Sequence, residues 1–489
     1  MHSTDELQRL RRLDIGPLQV ARMNGLSRAH VERSARRALR ERAAEGVRDG
    51  ALSPRQARLL LARQLRQLPR WLSESHYNGP PRTDRTGRLS EPPVPAWAAP
   101  AISADGSLVV AEAYEPKLPL ALQRGEISVV SWTAAAGVAG VSHGRAAHAG
   151  LPYSAYNPAL SGDGRHVAFE TSAGNLNFAK RYGDTSIALA DLEGGRARLV
   201  GSAPDGTDRT AYAPAISGDG RVVAFQAVDA SRADPRRVRP TRVLVRAADG
   251  STTAVRRTPA YEPALSADGR VVAFVAPGPE GSSRVFVFDR ASRRTILVSR
   301  ATGRAGAPAD GDSWGPRLSA DGQRVAFATT ARNLGGRAPR LGEARVLVRD
   351  VRRGTTRLVS TGVDGAPLPG FASEPAISAD GRFVAFSLAP PGALRGAPRG
   401  RPAQRVHVRN LADSQARPLG PSHGYAGQPA IAGDGSHVAF TADSGAPSLR
   451  VLRAAVSGGT TRALPLPTSV PPAGGRTGAV LCRLAPPVW

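Results

Sequence analysis

Lysine is nearly missing from this chain: of 66 basic residues only Lys117 and Lys180 are lysines. Cysteine is scarcer still, with Cys482 alone. A disulfide within the chain is therefore excluded, and so is a zinc cluster built on cysteines. Long apolar runs are missing too, so no membrane-spanning helix is expected. Met1–His30 are interrupted by Asp5, Glu6, Arg9, Arg11, Arg12 and Asp14, and no signal peptide is readable there. The composition assigns no compartment.

What the chain does have is length, glycine, proline and arginine. Its 489 residues exceed the needs of one ordinary domain. The 53 glycines and 41 prolines suit many short strands joined by turns. A formal charge of +26 raises nucleic-acid binding as a candidate. Phosphate-binding surfaces usually mix both basic residue types, however. Arginine without lysine, in a background of Ala, Gly and Pro, points to GC-biased coding. Dispersed arginine on a solvated surface is the preferred reading, with polyanion binding kept as an alternative.

One pattern recurs seven times: Pro, small, aliphatic, Ser, small, Asp-Gly, two variable residues, Val-Ala-Phe. It starts at Pro100, Pro158, Pro214, Pro263, Pro316, Pro375 and Pro429. Its aspartates, Asp105, Asp163, Asp219, Asp268, Asp321, Asp380 and Asp434, lie 49 to 59 residues apart. Small-Asp-Gly fits a type I turn with a glycine bulge, and the flanking runs are rich in strand formers. Each unit thus opens with a tight hairpin whose aspartate serves the turn. A third run follows, such as Arg242-Val243-Leu244-Val245, and a fourth closes the unit, such as Thr356-Arg357-Leu358-Val359. Four antiparallel strands in so few residues make one blade of a propeller, which buries its faces against its neighbours. The expected fold is all-β: a seven-bladed β-propeller over 99–466, with blades opening near 99, 157, 213, 262, 315, 374 and 428.

Residues 375–386 (Pro-Ala-Ile-Ser-Ala-Asp-Gly-Arg-Phe-Val-Ala-Phe) resemble the TolB-type, WD40-like propeller repeat, with Ala where that family often has Pro. The run 344–360 is similar to secreted actinobacterial members. The resemblance covers roughly 99–466. It implies a protein- or ligand-binding role at the cell envelope. The loops Thr171–Asp184 and Thr329–Glu343 are basic here, where similar proteins often carry Asp-rich segments, so calcium binding is not carried over.

Residues 1–75 read as a small basic helical appendage. Ser27 and Ser53-Pro54 give helix-start signals, and Ala57, Leu60, Leu61, Leu65 and Leu68 form a helical stripe. Residues 1–90 hold 19 Arg against 9 acidic residues. A solvated helix face explains this better than a DNA grip. Residues 76–98 are a Pro-rich linker. Residues 467–489 are a Pro/Gly-rich tail, in which Ala479-Val480-Leu481 could add an edge strand to the last blade.

Candidate chemistry is sparse. Gly311-Asp312-Ser313-Trp314-Gly315 matches the Gly-x-Ser-x-Gly elbow, but it runs into a first strand with no following helix. The nine histidines show no metal-ligand spacing. His166 and His437 occupy a position that is Val222 and Val271 in other blades, which indicates packing. No catalytic residue, metal or cofactor is expected. The feature beyond the scaffold lies just before the prolines. Tyr156, Tyr212, Tyr261 and Trp314 would ring the channel mouth if the first strand is innermost. Asn157, Glu262, Glu374 and Gln428 would stand beside them. Aromatic anchors with a few directed polar groups suit peptide, glycan and protein sites. Plugging the funnel is the structural alternative for these aromatics. The sequence thus reads as a monomeric, non-catalytic scaffold for a protein or glycan partner, with nucleic acid disfavoured. A glycan-active or lyase-type enzyme using Glu262 and Glu374 is the first alternative and a polyanion-binding scaffold the second.

Overall fold

The computed structural model describes residues 96–464 apart from loop segments, the longest of them 116–125, 142–154, 172–184, 202–207, 230–240, 392–403 and 444–448. It also describes Arg483–Leu484 and a few residues of the N-terminal segment. The chain divides into two units, Met1–Pro92 and Pro93–Trp489. In the first, Arg36, Arg40 and Ala44 are helical, as are Pro54, Arg58, Leu61 and Ala62. The remainder of the expected helices, most of the linker 76–98, and the tail segment Ala479-Val480-Leu481 lie outside the described residues.

In the second unit the described residues form seven antiparallel sheets, each made of four strands consecutive in the chain. The first strands are Ala96–Ile102, Ala155–Leu160, Asp208–Ile216, Tyr261–Leu265, Ser313–Leu318, Phe371–Ile377 and Ala426–Ile431. Each contacts the first strand of the next blade, and the seventh contacts the first. The propeller is therefore closed, and its first strands are innermost. Arg483–Leu484 adds a short parallel strand beside Arg196–Ala197 at the outer edge of blade two.

Burial follows the repeat. The Val-Ala-Phe run is the second strand, hydrogen-bonded at both edges within its sheet, and the neighbouring blades cover its two faces. Its phenylalanines, Phe169, Phe225, Phe274, Phe327, Phe386 and Phe440, are fully buried. Seven hydrophobic clusters fill the seven seams between blades. One joins blade seven to blade one through Ala439, Val451 and Leu464 against Val109, Ala111 and Val130. No blade has a core of its own, which is why the repeat must close on itself.

The hairpins form an inner ring at one end of the axis. The small residue or the aspartate at each tip donates its N–H to the carbonyl of the small residue in the next tip. The series runs from Ala104 to Gly162 (3.0 Å) through to Asp434 back to Ala104 (2.9 Å). This close approach explains the restriction to Ala or Gly: a Cβ added at Gly433 would lie 2.8 Å from the Ala104 Cβ. The turn glycine is equally constrained. At Gly269 φ is +66°, and an added Cβ would lie 2.7 Å from Val222 of the preceding blade. His166 and His437 stand at the position of Val222 and pack on the glycines of the following blades, Gly220 and Gly106.

Some of the arginine surplus is internal. Arg349 donates to the Ala301 carbonyl (2.8 Å) and the Gly303 carbonyl (3.1 Å) of the preceding blade's closing loop. Arg409 donates to the Leu358 and Val359 carbonyls and to the Thr361 hydroxyl. Burial lowers the pKa of both guanidiniums. Five donors in a fixed fork suit a clamp on several carbonyls, which lysine could not duplicate.

Candidate functional site

Part-way along its length, a few residues before the hairpin, each first strand carries a bulge at the residue before its proline. Ladder pairing is interrupted there in every blade, for example between Tyr156 and Ala159 and between Trp314 and Arg317. The strands therefore begin upstream of the prolines. The bulge residues are all left-handed: Ala99 (φ 45°), Asn157 (46°), Ala213 (53°), Glu262 (50°), Gly315 (62°), Glu374 (52°) and Gln428 (54°). The proline ring disfavours the helical region for the residue before it. The left-handed state costs on the order of 1–3 kcal/mol for a non-glycine residue.

The bulge turns the backbone N–H toward the preceding blade, and a side chain there accepts it. Glu112 accepts from Asn157 N (2.7 Å) and Glu170 from Ala213 N (2.7 Å). Gln226 accepts from Glu262 N (3.0 Å) and Glu262 from Gly315 N (2.6 Å). Glu374 accepts from Gln428 N (2.8 Å), and Gln428 from Ala99 N (3.1 Å), which carries the series from blade seven to blade one. These side chains form a belt that staples successive blades across the strained bulges. Bonds to a carboxylate are stronger than those between neutral groups, so the belt stabilises the bulge conformation.

The acceptor comes from either of two places. In blades one to three it stands on the second strand, as Glu112, Glu170 or Gln226. In blades four, six and seven it is the bulge residue itself. The two positions are 13 residues apart and adjacent in space: Asn157 Nδ2 donates to Glu170 (2.7 Å) and the Ser387 hydroxyl to Glu374 (2.7 Å). The second-strand acceptors were visible in the repeat as the residue after Val-Ala-Phe, or after Val-Val-Ala in blade one. Reading the bulge residues alone missed them.

The sequence-predicted aromatics stand one residue upstream of the bulges. Tyr156, Tyr212, Tyr261 and Trp314 are each half-buried. Trp314 stacks on Phe371 of the next blade, with ring centroids 5.8 Å apart and planes 23° apart. Tyr261 and Trp314 also pack against the seam between blades four and five. Of the polar candidates, Glu262 and Glu374 bind amides at different seams. The first binds the Gly315 amide of blade five and the second the Gln428 amide of blade seven.

The turn aspartates stand in the hairpins, a few residues beyond the bulges. Asp105, Asp163, Asp219, Asp268, Asp321 and Asp380 each accept from the buried serine two residues before (2.5 to 2.6 Å). Each also accepts from the N–H two residues ahead, as Arg221 N does with Asp219 (3.0 Å). The Ser103 hydroxyl, with the Ser107 amide and hydroxyl, holds Asp105 down at about 2. Asp434 keeps the amide bond, from Ser436, but Ala432 replaces the serine.

Ser313 of the Gly-x-Ser-x-Gly match is buried and pairs with the Thr329 hydroxyl at 3.0 Å. His407, stacked on Phe386 at 5.5 Å, is buried, and that burial lowers its pKa to about 4. His143 and His148 lie outside the described residues. Among the described residues no three metal-ligating side chains gather. No described helix is long and apolar enough to cross a membrane.

An oligogalacturonate lyase from Vibrio parahaemolyticus is 12% identical, with TM-score 0.51, over 76% of this chain and 93% of that one. A chain from a study of two prolyl endopeptidases is 14% identical, with TM-score 0.51, over 77% of this chain and 51% of that one. A putative TolB from Agrobacterium tumefaciens is 16% identical, with TM-score 0.37, over 56% of this chain and 85% of that one. The chain is a seven-bladed β-propeller in fold. No protein-family profile and no curated protein matches the sequence. At these identities the likeness concerns the fold alone, since propellers host many activities.

Proposed function

We propose that this propeller is a non-catalytic binding scaffold that takes a protein or glycan partner along the bulges of its innermost strands. One observation carries the reading: four consecutive blades, two to five, hold a half-buried aromatic at the same register. Each stands directly beside the polar belt. Large aromatic anchors next to fixed polar groups supply most of the binding energy in such sites. The Trp314–Phe371 stack adds a rigid apolar step that loses little entropy on binding.

A glycan-active alternative of the glycosidase kind needs two carboxylates serving one substrate. Glu262 and Glu374 instead serve as acceptors for different blades, which supports the scaffold reading. Arg349 and Arg409 spend their charge on internal carbonyls, which weakens the inference from net charge to a polyanion surface.

The test compares partners captured by the wild-type chain and by the Tyr156→Ala/Tyr261→Ala/Trp314→Ala variant, with thermal unfolding of both as a folding control. Specific partners lost by a folded variant support the reading. Identical partner sets remove it.

A further inference from the structure

Blade five breaks the belt. Both positions that furnish the acceptor in other blades are empty of one there: the bulge residue is Gly315 and the second-strand residue is Ala328. The N–H of Glu374, which faces blade five as Gln428 N faces blade six, thus meets no side-chain acceptor among the described residues. Glu374 itself is held at φ 52°, the strained conformation that the acceptors support elsewhere.

Two further departures sit at the same place. The residue after the proline is alanine in six blades and Arg317 in the fifth. Arg317 is exposed on the innermost strand, and its guanidinium folds back to the Pro316 carbonyl at 2.9 Å, beside Gly315. The stacked pair Trp314 and Phe371 flanks the same seam, between blades five and six. A donor without an acceptor, a unique cation and an apolar step therefore coincide.

We propose that this gap is a seat for a Glu or Gln side chain of a peptide partner, which takes the place in the belt that the chain leaves open. The chemistry is the chain's own. At six interfaces the protein seats a carboxylate or carboxamide oxygen on the equivalent N–H, at 2.6 to 3.1 Å. A carboxylate in blade five would neighbour Glu262 in blade four, as Glu112 and Glu170 already neighbour each other in blades one and two. Arg317 adds a counter-charge on the strand of the gap itself. The partner's backbone then lies against Trp314 and Phe371. This inference rests on the scaffold reading and assigns that site its recognition element.

The full chain, with backbone amides resolved by NMR, provides the test. Titration with N-acetylglutamate and N-acetylglutamine methylamide should shift the Glu374 amide saturably. N-acetylleucine methylamide should not. Ala328→Gln places an acceptor at the position used by Glu112, Glu170 and Gln226. It should abolish the probe response and slow Glu374 exchange by about tenfold, the factor an ordinary net hydrogen bond supplies. Gln226→Ala opens a second gap in blade three and should speed Glu262 exchange by about the same factor. That measurement stands even if Ala328→Gln fails to fold. A Glu374 amide that ignores all three probes, or that exchanges as slowly as Gln428 in the wild type, overturns the seat. Loss of partners in the aromatic variant alongside that result would leave the scaffold reading standing and the seat refuted.

Discussion

The hairpins and the bulges of the innermost strands solve one problem, joining blade to blade, by different means. At the hairpins the joint is backbone to backbone, from Ala104 to Gly162 onward and from Asp434 back to Ala104. Only small residues fit, so all seven repeats look alike there. At the bulges the joint runs through side chains, and the acceptor can come from either of two positions 13 residues apart. A side-chain joint tolerates exchange and can be left open, as in blade five. The uniform joint carries the fold, and the variable joint is where a binding function can be written without disturbing it.

The comparison breaks most visibly at the hairpin glycines. Gly220→Ala puts a Cβ into the His166 ring in a left-handed conformation with φ +72°. The expected loss is about 2–4 kcal/mol, combining left-handed strain with overpacking. Denaturant titration measures it. A loss under about 0.5 kcal/mol, the usual range for a surface site, would mean that the tips are not tightly joined.

Next in size is the serine beneath each aspartate. Ser217 is buried, donates to Asp219 (2.6 Å) and accepts from Val222 N (2.9 Å). Ser217→Ala should cost about 1–3 kcal/mol, because both partners lose a bond. Blade seven offers the reverse experiment. Ala432→Ser should gain up to about 1 kcal/mol by restoring the arrangement of the other six. Equal melting temperatures for Ala432→Ser and wild type would show that the serine is neutral in that blade.

The bulges should instead be forgiving when the acceptor is moved rather than removed. Glu262→Ala leaves the Gly315 N–H without its acceptor and should cost about 1–2 kcal/mol. Adding Val275→Glu puts the carboxylate where blade two has Glu170 and should recover much of that loss. Val275 is 4% exposed and Glu170 3%, so the two sites are equally enclosed. A double variant less stable than Glu262→Ala alone would show that the two positions are not interchangeable.

The repeat made the fold legible because each of its letters has one physical job. Asp-Gly sets the turn, Val-Ala-Phe fills the seam, and the period fixes seven closing units. The aromatics beside the bulges were legible as well, since they recur at one offset from proline. The belt was harder to see. Its acceptors alternate between two strands, so no single column of the repeat shows a constant residue, and Asn157, Glu262, Glu374 and Gln428 read as free polar groups. The left-handed bulge also has no signature of its own, because Ala, Asn, Glu, Gly and Gln all occupy it. The carbonyl clamps made by Arg349 and Arg409 were hidden by the abundance of arginine around them.

The smallest expected effect distinguishes the two joints by pH. Asp105 is held at about 2, first by the Ser103 hydroxyl and then by the Ser107 amide and hydroxyl. Its folded-state pKa lies below the value near 3.9 of an unfolded aspartate. The folded protein therefore binds the proton less readily than the unfolded chain. The stabilisation is fully present above about pH 4 and is lost as pH falls toward 2. Because the carboxylate is largely exposed, solvent keeps the effect small. Ser103→Ala removes the largest cause, so it should raise the Asp105 pKa and flatten the fall in stability between about pH 4 and 2. Carboxyl titration by NMR reads the first and acid unfolding the second. An Asp105 pKa unchanged in Ser103→Ala would mean that the backbone turn, not the serine, sets the charge of the hairpin ring.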